Sequence, residues 1–441
     1  MISPDPSLLP TGLPHDPLIR PSFREACRLW LKIGCLSFGG PAAQISLMHE
    51  ELVEHRRWVD DQRFQHALQF CVLLPGPEAQ QLATYLGWWL HGTRGGVVAG
   101  SLFVLPAAAL LLILSWGYAI WGAVPWVSAA LQGVQPAVVA LMGAAVIRLS
   151  QRWLRSRWHW VMTLGTWIGI HQGWPFPLLL LLVFLAGILW RRLMPEAVPP
   201  IPAEDLRQSV EHSGAPFPTM RSSVRVFLVC VALWWLPVLL AAFAFGVRHV
   251  LVQEGIFFSG ASVVTIGGAY AVLPYVAQQG VERFHWVSGS EMMAGMALAE
   301  ATPGPLIIVL QFIGFLGAWH HPGSLSPIVA GILGAGITSW TTFFPSFLWI
   351  FVGAPWVERL QGLKSWGKWM GVVSAGVVGM ILNLAWKLGA ATVVTVQGSW
   401  DGVSLVILAL TFSLLRWGRW PGVAVVALAA LMGVLRPILR L

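Results

Sequence analysis

Two motifs built from glycine and proline, each present twice, carry the strongest chemical implication in this chain. Gly39-Gly40 recurs as Gly267-Gly268, and Pro75-Gly76-Pro77 recurs at the same spacing as Pro303-Gly304-Pro305. Proline removes a backbone donor and clashes with the preceding turn, and glycine permits dihedrals that other residues avoid, so each motif predicts a break in a helix. A half-helix that starts at such a break presents unpaired N–H groups and the positive end of its dipole. That arrangement can bind an anion without a buried cation.

The elements that must position these motifs are membrane helices. The chain has 441 residues, of which 56% are hydrophobic and 10% are charged, against roughly 25% charged in a soluble domain. Its mean hydropathy is +0.70. Apolar stretches such as 95–119 and 226–245 are close to the roughly 20 residues that cross a bilayer. We therefore predict an all-α polytopic membrane protein, since the alternating segments of a β-barrel are missing.

A broken helix in hydrocarbon leaves backbone groups unpaired, at a cost of several kcal/mol each, unless protein or water satisfies them. The four breaks are therefore predicted to meet at one hydrated place lined by protein. Gly and Pro interruptions at corresponding positions of a duplicated apolar unit are typical of the binding site of a secondary transporter. The alternative for any single motif is an ordinary kink or a close-packing position.

The repeat extends beyond the motifs and defines the predicted organisation. Val53-Glu54 returns as Val281-Glu282, Trp58 as Trp286, and Pro125-Trp126-Val127 as Pro355-Trp356-Val357 with a slightly larger offset. We predict about 10 to 13 transmembrane helices in two homologous halves. The predicted parts are a disordered cytoplasmic tail without a signal peptide (1–23), the first repeat (24–190), a polar Pro-rich linker (191–225), and an extra helix plus the second repeat (226–441).

Arginine placement predicts the orientation of the halves. Arg148, Arg152, Arg155 and Arg157 form a dense cluster, and the linker is also basic, so both belong on the cytoplasmic side. One crossing at 226–247 then gives the second repeat the opposite orientation, which predicts inverted-topology repeats. A simple count places Arg56, Arg57 and Arg63 outside, so segment 26–48 or 66–90 is re-entrant in this topology. The sequence leaves that choice open.

Several side chains near the breaks have two interpretations each. Glu78 and Glu300 are candidates for proton coupling because intramembrane ionisable residues are functional by default, and the alternative is an interfacial or hydrogen-bonded carboxyl. Gln80 and Gln81 either donate to an oxyanion or bond across helices.

Basic residues further from the breaks are also ambiguous. Arg56, Arg57 and Trp58 lie in a run of alternating charge that is usually a solvated, self-paired surface, although the two arginines are also suited to attract anions. Lys32 and Arg94 either guide an anion or anchor a helix end.

Other classes of site are not indicated. The four cysteines show no CxxC pairing, so neither a disulfide framework nor a zinc site is predicted, and no phosphate-binding loop is present. The net charge of +8 follows from arginines at segment ends, which topology explains better than nucleic-acid binding. No catalytic residue, metal site or cofactor is predicted.

Taken together, the motifs resemble the signature of chromate transporters of the chromate ion transporter family. The first half carries Phe38-Gly39-Gly40-Pro41, Glu54-His55-Arg56-Arg57-Trp58, Leu74-Pro75-Gly76-Pro77 and Gln80-Gln81-Leu82. The second half carries Gly267-Gly268-Ala269-Tyr270, Val281-Glu282-Arg283, Thr302-Pro303-Gly304-Pro305 and Phe344-Pro345-Ser346-Phe347. The resemblance covers most of 24–388 and is closest to the long two-domain bacterial form.

The resemblance implies a multi-pass protein of the bacterial inner membrane that exports chromate, driven by the electrochemical gradient, and confers chromate resistance. The positions that it marks as functional are Gly39, Gly40, Pro41, Arg56, Arg57, Trp58, Pro75, Gly76, Pro77, Gly267, Gly268, Tyr270, Pro303, Gly304 and Pro305. Two positions depart from the family pattern: Ala269 stands where a third glycine is frequent, and His285 matches Arg57.

The resulting hypotheses belong to different classes. The leading one is a secondary exporter of chromate, with the lipid bilayer as its environment, sulfate as a structural analogue of the substrate, and a homodimer as a further expectation. A transporter for sulfate or another oxyanion and a passive anion channel remain alternatives. A membrane reductase is less favoured because no redox motif is present.

Overall fold

The computed structural model describes residues 21–38, 40–154, 156–174, 178–179, 181–186, 219–265, 269–357, 366–394 and 400–438. Within these ranges the chain is helical and contains no β-strand, only an isolated bridge between Val394 and Trp400. The all-α prediction is therefore confirmed. Most of the predicted tail and linker, and the motif residues Gly39, Gly267 and Gly268, lie outside the described residues.

The helices of the first half are α1 (Phe23–Leu36), α2 (Gly40–His49), α3 (Asp61–Leu73), α4 (Glu78–Trp121), α5 (Pro125–Trp153) and α6 (Arg157–His171). The later helices are α7 (Met220–Phe245), α8 (Val250–Val264), α9 (Ala269–Ala277), α10 (Gly289–Ala301), α11 (Val309–His320), α12 (Pro327–Val357), α13 (Trp366–Val393), α14 (Gly402–Arg416) and α15 (Gly422–Ile438). Two π-helical turns, Glu50–His55 and Gln278–Arg283, extend α2 and α9, and a 3₁₀ turn, Leu306–Ile308, precedes α11.

Segments 26–48 and 66–90 are both helical hairpins rather than single spans. In hairpin 1 (α1 and α2), Lys32 Nζ lies 2.6 Å from Glu51 Oε1, which requires α2 and its π turn to fold back along α1. In hairpin 2 (α3 and the first arm of α4), the Arg63 guanidinium lies 3.5 Å from the centroid of the Trp89 ring. Both segments therefore have the hairpin geometry that the re-entrant alternative needs.

The second repeat contains the matching pair. In hairpin 3 (α8 and α9), the rings of Phe257 and Tyr275 lie 5.3 Å apart, and in hairpin 4 (α10 and α11), His320 Nε2 lies 3.4 Å from Glu291 Oε1. We call the described residues between the arms the tips, numbered by hairpin: Ser37, Phe38 and Gly40 (tip 1), Leu74–Pro77 (tip 2), Thr265 (tip 3) and Thr302–Pro305 (tip 4).

Even irregular backbone features are duplicated. The π turns occupy matching positions, and Arg57 (φ 53°) matches His285 (φ 52°) in the left-handed region, where non-glycine residues are uncommon. The duplication therefore extends to local geometry and is not limited to composition.

Helix α4 reverses direction after hairpin 2. His91 and Gly92 have non-helical dihedrals, with φ of 62° at Gly92, and the second arm then runs back along the first, so that Gly87 faces Gly95 and Ala99. His91 Nε2 lies 3.1 Å from the carbonyl oxygen of Pro21. The second arm of α4 thus starts at the end of the bundle where α1 begins, which we call end A.

The two repeats enter from opposite ends. Helix α12 runs antiparallel to the second arm of α4, because Phe351 packs near Gly96 while Phe347 packs near Gly100. Helix α12 therefore finishes at end A and starts at the other end, end B, directly after α11. Hairpins 3 and 4 accordingly enter from end B, as inverted-topology repeats require.

Five helices within the described residues are long and apolar enough to cross a membrane: Glu78–Trp121, Pro125–Gln151, Met220–Phe245, Pro327–Trp356 and Ala375–Val393. The remaining elements pack around them. Helices α14 and α15 lie against α5 and are joined by an ion pair in which Arg436 Nη1 lies 2.8 Å from Asp401 Oδ2.

One sequence match does not correspond to structural equivalence. Pro125 is the first residue of α5, where proline is favoured because its missing N–H has no helical partner. Pro355 instead lies near the end of α12. The structural counterpart of α5, the next helix after the second arm of α4, is α13. In addition, Asp401 is the N-cap of α14.

Candidate functional site

The hairpin tips pair crosswise between the two repeats. Gly76 N donates to Thr265 O at 2.7 Å, and Gly304 N donates to Ser37 O at 2.8 Å. These are equivalent bonds in opposite directions, each joining a Pro-Gly-Pro tip of one repeat to the residue that ends α1 or α8 in the other. The two pairs lie side by side, since α9 packs against the Leu306–Ile308 turn.

Glycine is required at both Pro-Gly-Pro tips. The φ angle is 120° at Gly76 and 107° at Gly304, a region that residues with a Cβ rarely occupy. A Cβ on Gly76 would lie 2.8 Å from Gln81 Nε2, and one on Gly304 would lie 2.5 Å from the Ala107 Cβ. The tips therefore depend on glycine both for backbone conformation and for close approach.

Amide side chains pair with the carbonyl groups exposed by the breaks. Gln44 Nε2 donates to Gly304 O at 2.6 Å and to Ser37 O at 3.2 Å, and Gln81 Nε2 donates to Pro75 O at 2.7 Å. Buried carbonyl groups need such partners. Because these carbonyls are occupied, they contribute less to binding a cation.

The N–H groups at the tips are in the opposite situation. Helix α4 starts directly after Pro77 and the 3₁₀ turn directly after Pro305, and neither start has a side-chain cap. The first N–H groups of a helix lack partners within the helix, and proline offers no side-chain acceptor. The dipole makes the start of α4 electropositive, which favours an anion at tip 2, while the carboxyl of Glu78 in the first turn of α4 offsets this potential when it is ionised.

Polar side chains concentrate around tip 2. Gln80 and Gln81 are buried, and their Oε1 atoms have no hydrogen-bond partner; the same is true of Ser346 Oγ on α12. A Cβ on Gly76 would lie 3.3 Å from Ser346 Oγ. The hydroxyl therefore faces the tip and is available to a ligand.

Tip 4 lacks this lining. The positions that match Gln80 and Gln81 are Ile308 and Val309, and a Cβ on Gly304 would meet Ala107, although the Gln44 amide donates to Gly304 O. The backbone of the two tips is therefore symmetric while the side chains are not. We assign the candidate anion site to tip 2, made by the start of α4 with Gln80, Gln81 and Ser346.

The other residues predicted near the breaks lie at or next to the tips. Pro41 follows Gly40 (φ 81°) in α2, Tyr270 is in the first turn of α9, and Pro303 and Pro305 flank Gly304. Glu78 is the first residue of α4. The Oε2 atom of Glu300 would lie 3.6 Å from a Cβ on Gly422, which places this carboxyl beside the start of α15.

The predicted guidance residues are not brought to the tips. Arg56 forms an ion pair with Glu51, the buried carboxylate that also binds Lys32. Trp58 is buried, and its backbone N–H donates to Leu52 O at 2.8 Å. Arg57 and Arg94 are exposed, the latter just after the reversal of α4. These residues belong to end A, one half-helix from the tips.

Gln44 and Ser346 are site residues that the sequence analysis missed. Gln44 follows the first Gly-Gly motif by one helical turn, so its proximity to a break was a signal, and Ser346 lies within the Phe-Pro-Ser-Phe motif of the family resemblance. Within the described ranges, no group of three or more His, Cys, Asp or Glu residues is arranged to hold a metal ion.

Comparison with known proteins gives the chain a context. A family model described as Chromate transporter matches residues 24–190 and 252–434. A protein of Pseudomonas aeruginosa named Chromate transport protein is 32% identical over 406 residues, which covers 89% of this chain and 87% of the relative. A protein of the same name from Cupriavidus metallidurans is 28% identical over 403 residues, covering 89% of each chain. No solved structure shows significant similarity to this chain.

Proposed function

Because the chain belongs to the chromate transporter family, we propose that it is a multi-pass secondary transporter that moves chromate through the crossing of the hairpin tips. The observation that carries this proposal is the tip 2 site, where an uncapped helix start, two buried amides and a buried hydroxyl converge. The N–H groups at the helix start, the Ser346 hydroxyl and the second N–H of each amide Nε2, whose first N–H donates to Phe343 O or Pro75 O, are donors that suit the oxygens of a tetrahedral dianion. Sulfate has the same shape and charge, and we propose it as a competing ligand.

The direction of transport follows from charge. We propose that end A is cytoplasmic, since Arg56, Arg57, Arg63 and Arg94 lie there. A membrane potential that is negative inside favours outward movement of a dianion, by about 2.3 kcal/mol per charge per 100 mV. We therefore propose export across the inner membrane, with chromate resistance as its consequence.

The inverted arrangement supports a transporter that alternates between two open states. Each repeat enters from its own end, and the site lies where the tips cross, so motion of one repeat against the other can open the site to either end. A homodimer in the bilayer is a further proposal, and transport itself needs one chain.

The decisive experiment measures radiolabelled chromate flux in inverted membrane vesicles, energised or not, with sulfate as competitor. We expect uptake against the chromate gradient that is lost on uncoupling. Purely downhill flux would establish a passive channel. Sulfate uptake without chromate uptake would replace the substrate, and absence of flux of either ion would reject the proposed function.

A further inference from the structure

A buried carboxylate without partners lies in the second repeat, outside the tip 2 site. Glu254, on α8, is 0% exposed, and neither of its carboxylate oxygens has a hydrogen-bond partner. An ionised carboxylate buried without a partner costs several kcal/mol, and buried polar atoms are nearly always paired. A group kept in this state within a membrane protein is a functional candidate.

Two glycines make room for this carboxylate. A Cβ on Gly317 of α11 would lie 2.6 Å from Glu254 Oε1, and a Cβ on Gly334 of α12 would lie 3.0 Å from Oε2. The carboxylate is therefore enclosed between α8, α11 and α12. The matching residue of the first repeat is Ala26, which shows that this hairpin can form without a carboxylate here.

Few other ionisable groups lie near Glu254. Helix α12 contains no ionisable residue. Helix α7 contains Cys230, with Arg221 and Arg225 at end A. Helix α9 and its π turn contain Tyr270, Tyr275, Glu282 and Arg283. Helix α11 ends in His320 and His321, His249 caps α8, and Glu291 of α10 lies 3.4 Å from His320. No cation on these elements forms an ion pair with Glu254 in the part of the chain that the structure describes.

Glu254 lies close to the solution at end B. A surface depression of about 460 Å³ there is lined by residues that include His285, Glu291 and His320. His321 Nδ1 lies 3.1 Å from the carbonyl oxygen of Gly317, and a methyl on that same glycine would contact Glu254. Exposed histidines therefore stand about one helical turn from the buried carboxylate.

A row of hydroxyls extends from Glu254 toward tip 2. Thr338, Thr342 and Ser346 follow Gly334 at intervals of four residues on α12, and the hydroxyl oxygens of all three are buried without partners. Helical Ser and Thr usually bond the carbonyl four residues back, as Thr341 does, so three unpartnered hydroxyls in register are unusual. They are about 6 Å apart along the axis, a distance that proton transfer could cover through one intervening water molecule.

We propose that Glu254 binds the proton that is coupled to anion transport, and that the row of hydroxyls on α12 connects it with the anion site at tip 2. This inference rests on the proposed function. A proton from the end B solution forms an O–H bond at the Glu254 carboxylate and neutralises it. Its release toward tip 2 regenerates the carboxylate, so each cycle moves a proton and consumes no other reactant.

The structure also connects Glu254 mechanically with tip 2. Glu254 and Thr265 lie on the same short hairpin arm, and Thr265 O accepts the Gly76 N–H. A carboxylate that becomes charged between Gly317 and Gly334 favours separation of α8 from α11 and α12. Displacement of α8 then acts directly on tip 2.

The test uses the purified full-length protein in proteoliposomes. Two activities are compared: exchange of labelled chromate at equal pH, and chromate accumulation driven by a pH gradient, with proton movement followed by an internal pH-sensitive dye. We expect Glu254→Gln to retain exchange and to lose both gradient-driven accumulation and proton movement. Glu282→Gln, which changes an exposed carboxyl that pairs with Lys387 outside the depression at end B, is the control and should retain all three.

The outcomes separate the two proposals. If Glu254→Gln still accumulates chromate with the pH gradient and moves protons as the wild type does, the inference is rejected. If wild-type exchange occurs but ignores the pH gradient, coupling is rejected and the proposed function stands. If the wild type moves no chromate, both fail.

A second variant addresses the row of hydroxyls independently of the stability of Glu254 variants. Thr338→Val keeps the shape of the side chain, removes a hydroxyl and lies away from tip 2. We expect slower proton movement with unchanged chromate exchange. Proton movement at the wild-type rate in this variant would remove the row from the pathway.

Discussion

At the scale of single residues, the crosswise contact of the tips depends on two glycines held at positive φ. Gly76 and Gly304 each donate a backbone N–H across the boundary between repeats, and each lies between two prolines that cannot donate. The glycine is thus the one residue of its motif able to make this bond. Asymmetry enters through side chains, with Gln80, Gln81 and Ser346 at one tip and Gln44 among apolar residues at the other.

Gly76→Leu should abolish chromate flux while the protein is still inserted in the membrane at its normal level. The side chain would meet Gln81 and Ser346 and would strain a backbone with φ of 120°. Vesicle flux and immunoblotting measure the two quantities. Gly260→Leu is the control, because nothing lies within 4 Å of a Cβ at that exposed position. Normal flux in Gly76→Leu would contradict the tip 2 site.

Ser346→Ala should raise the KM for chromate about tenfold, the loss expected for one hydrogen bond to a charged ligand. The maximal rate of chromate exchange at equal pH should change much less, since the tip backbone is untouched and exchange does not use the row of hydroxyls. The concentration dependence of exchange provides both values. Ser413→Ala removes an exposed hydroxyl that bonds only its own helix and should leave KM unchanged. An unchanged KM in Ser346→Ala would remove this hydroxyl from the site.

At the scale of elements, the repeated supersecondary structure is a helical hairpin. Its first arm runs from one end of the bundle to a tip, and its second arm runs back to the same end. Reversal at the tips brings short half-helices to the middle of the bundle, where a continuous helix would present no free N–H. The second arm of α4 and helix α12 then cross the whole bundle in opposite directions, and each passes beside a tip of the other repeat.

A cross-linking experiment tests this packing. In a background without the four native cysteines, the pair Gly96→Cys and Phe351→Cys should be joined by a short thiol-reactive linker. Gly96→Cys with Ile328→Cys should not, because α12 starts at end B. Gel mobility after cleavage between the repeats reports the link. Linking of the second pair but not the first would mean that the two helices run parallel.

At this scale the sequence predicted where the helices break but not how the arms on either side of each break are arranged. The Pro-Gly-Pro motifs gave the breaks directly, since two prolines around a glycine cannot continue a helix. They did not specify that segments 26–48 and 66–90 fold back, because apolar periodicity is the same for a span and for two antiparallel arms. The contact of Lys32 with Glu51 resolves this, and it depends on tertiary structure.

The site side chains were predictable in part for a related reason. Gln80 stood beside a motif and was identified, whereas Glu254 was passed over although it is an ionisable residue inside an apolar segment. The spacing of Thr338, Thr342 and Ser346 was visible, yet hydroxyls at such intervals usually bond their own helix. Only packing shows that these three do not.

At the scale of the whole molecule, the two repeats approach the same centre from opposite ends. Equivalent loops therefore meet different solutions: Arg57 and His285 share a left-handed backbone and lie at end A and end B. With end A in the cytoplasm, the more basic loop is inside, as the distribution of arginines requires.

Single-cysteine labelling checks this arrangement in intact cells. A membrane-impermeant maleimide should label His285→Cys from outside and should reach Arg57→Cys only after the cells are opened. Both positions are exposed, so each serves as the control for the other. Labelling of both from the same side would contradict inverted repeats, and labelling of Arg57→Cys alone from outside would reverse the proposed orientation.

The crosswise bonds at the tips make the two halves mutually dependent. Gly76 of the first repeat uses an acceptor in the second repeat, and Gly304 of the second uses an acceptor in the first. Neither half can therefore make both of these hydrogen bonds by itself. Covalent continuity through the linker is a separate matter. Two halves produced together as separate polypeptides should assemble and transport chromate, whereas either half alone should not transport it.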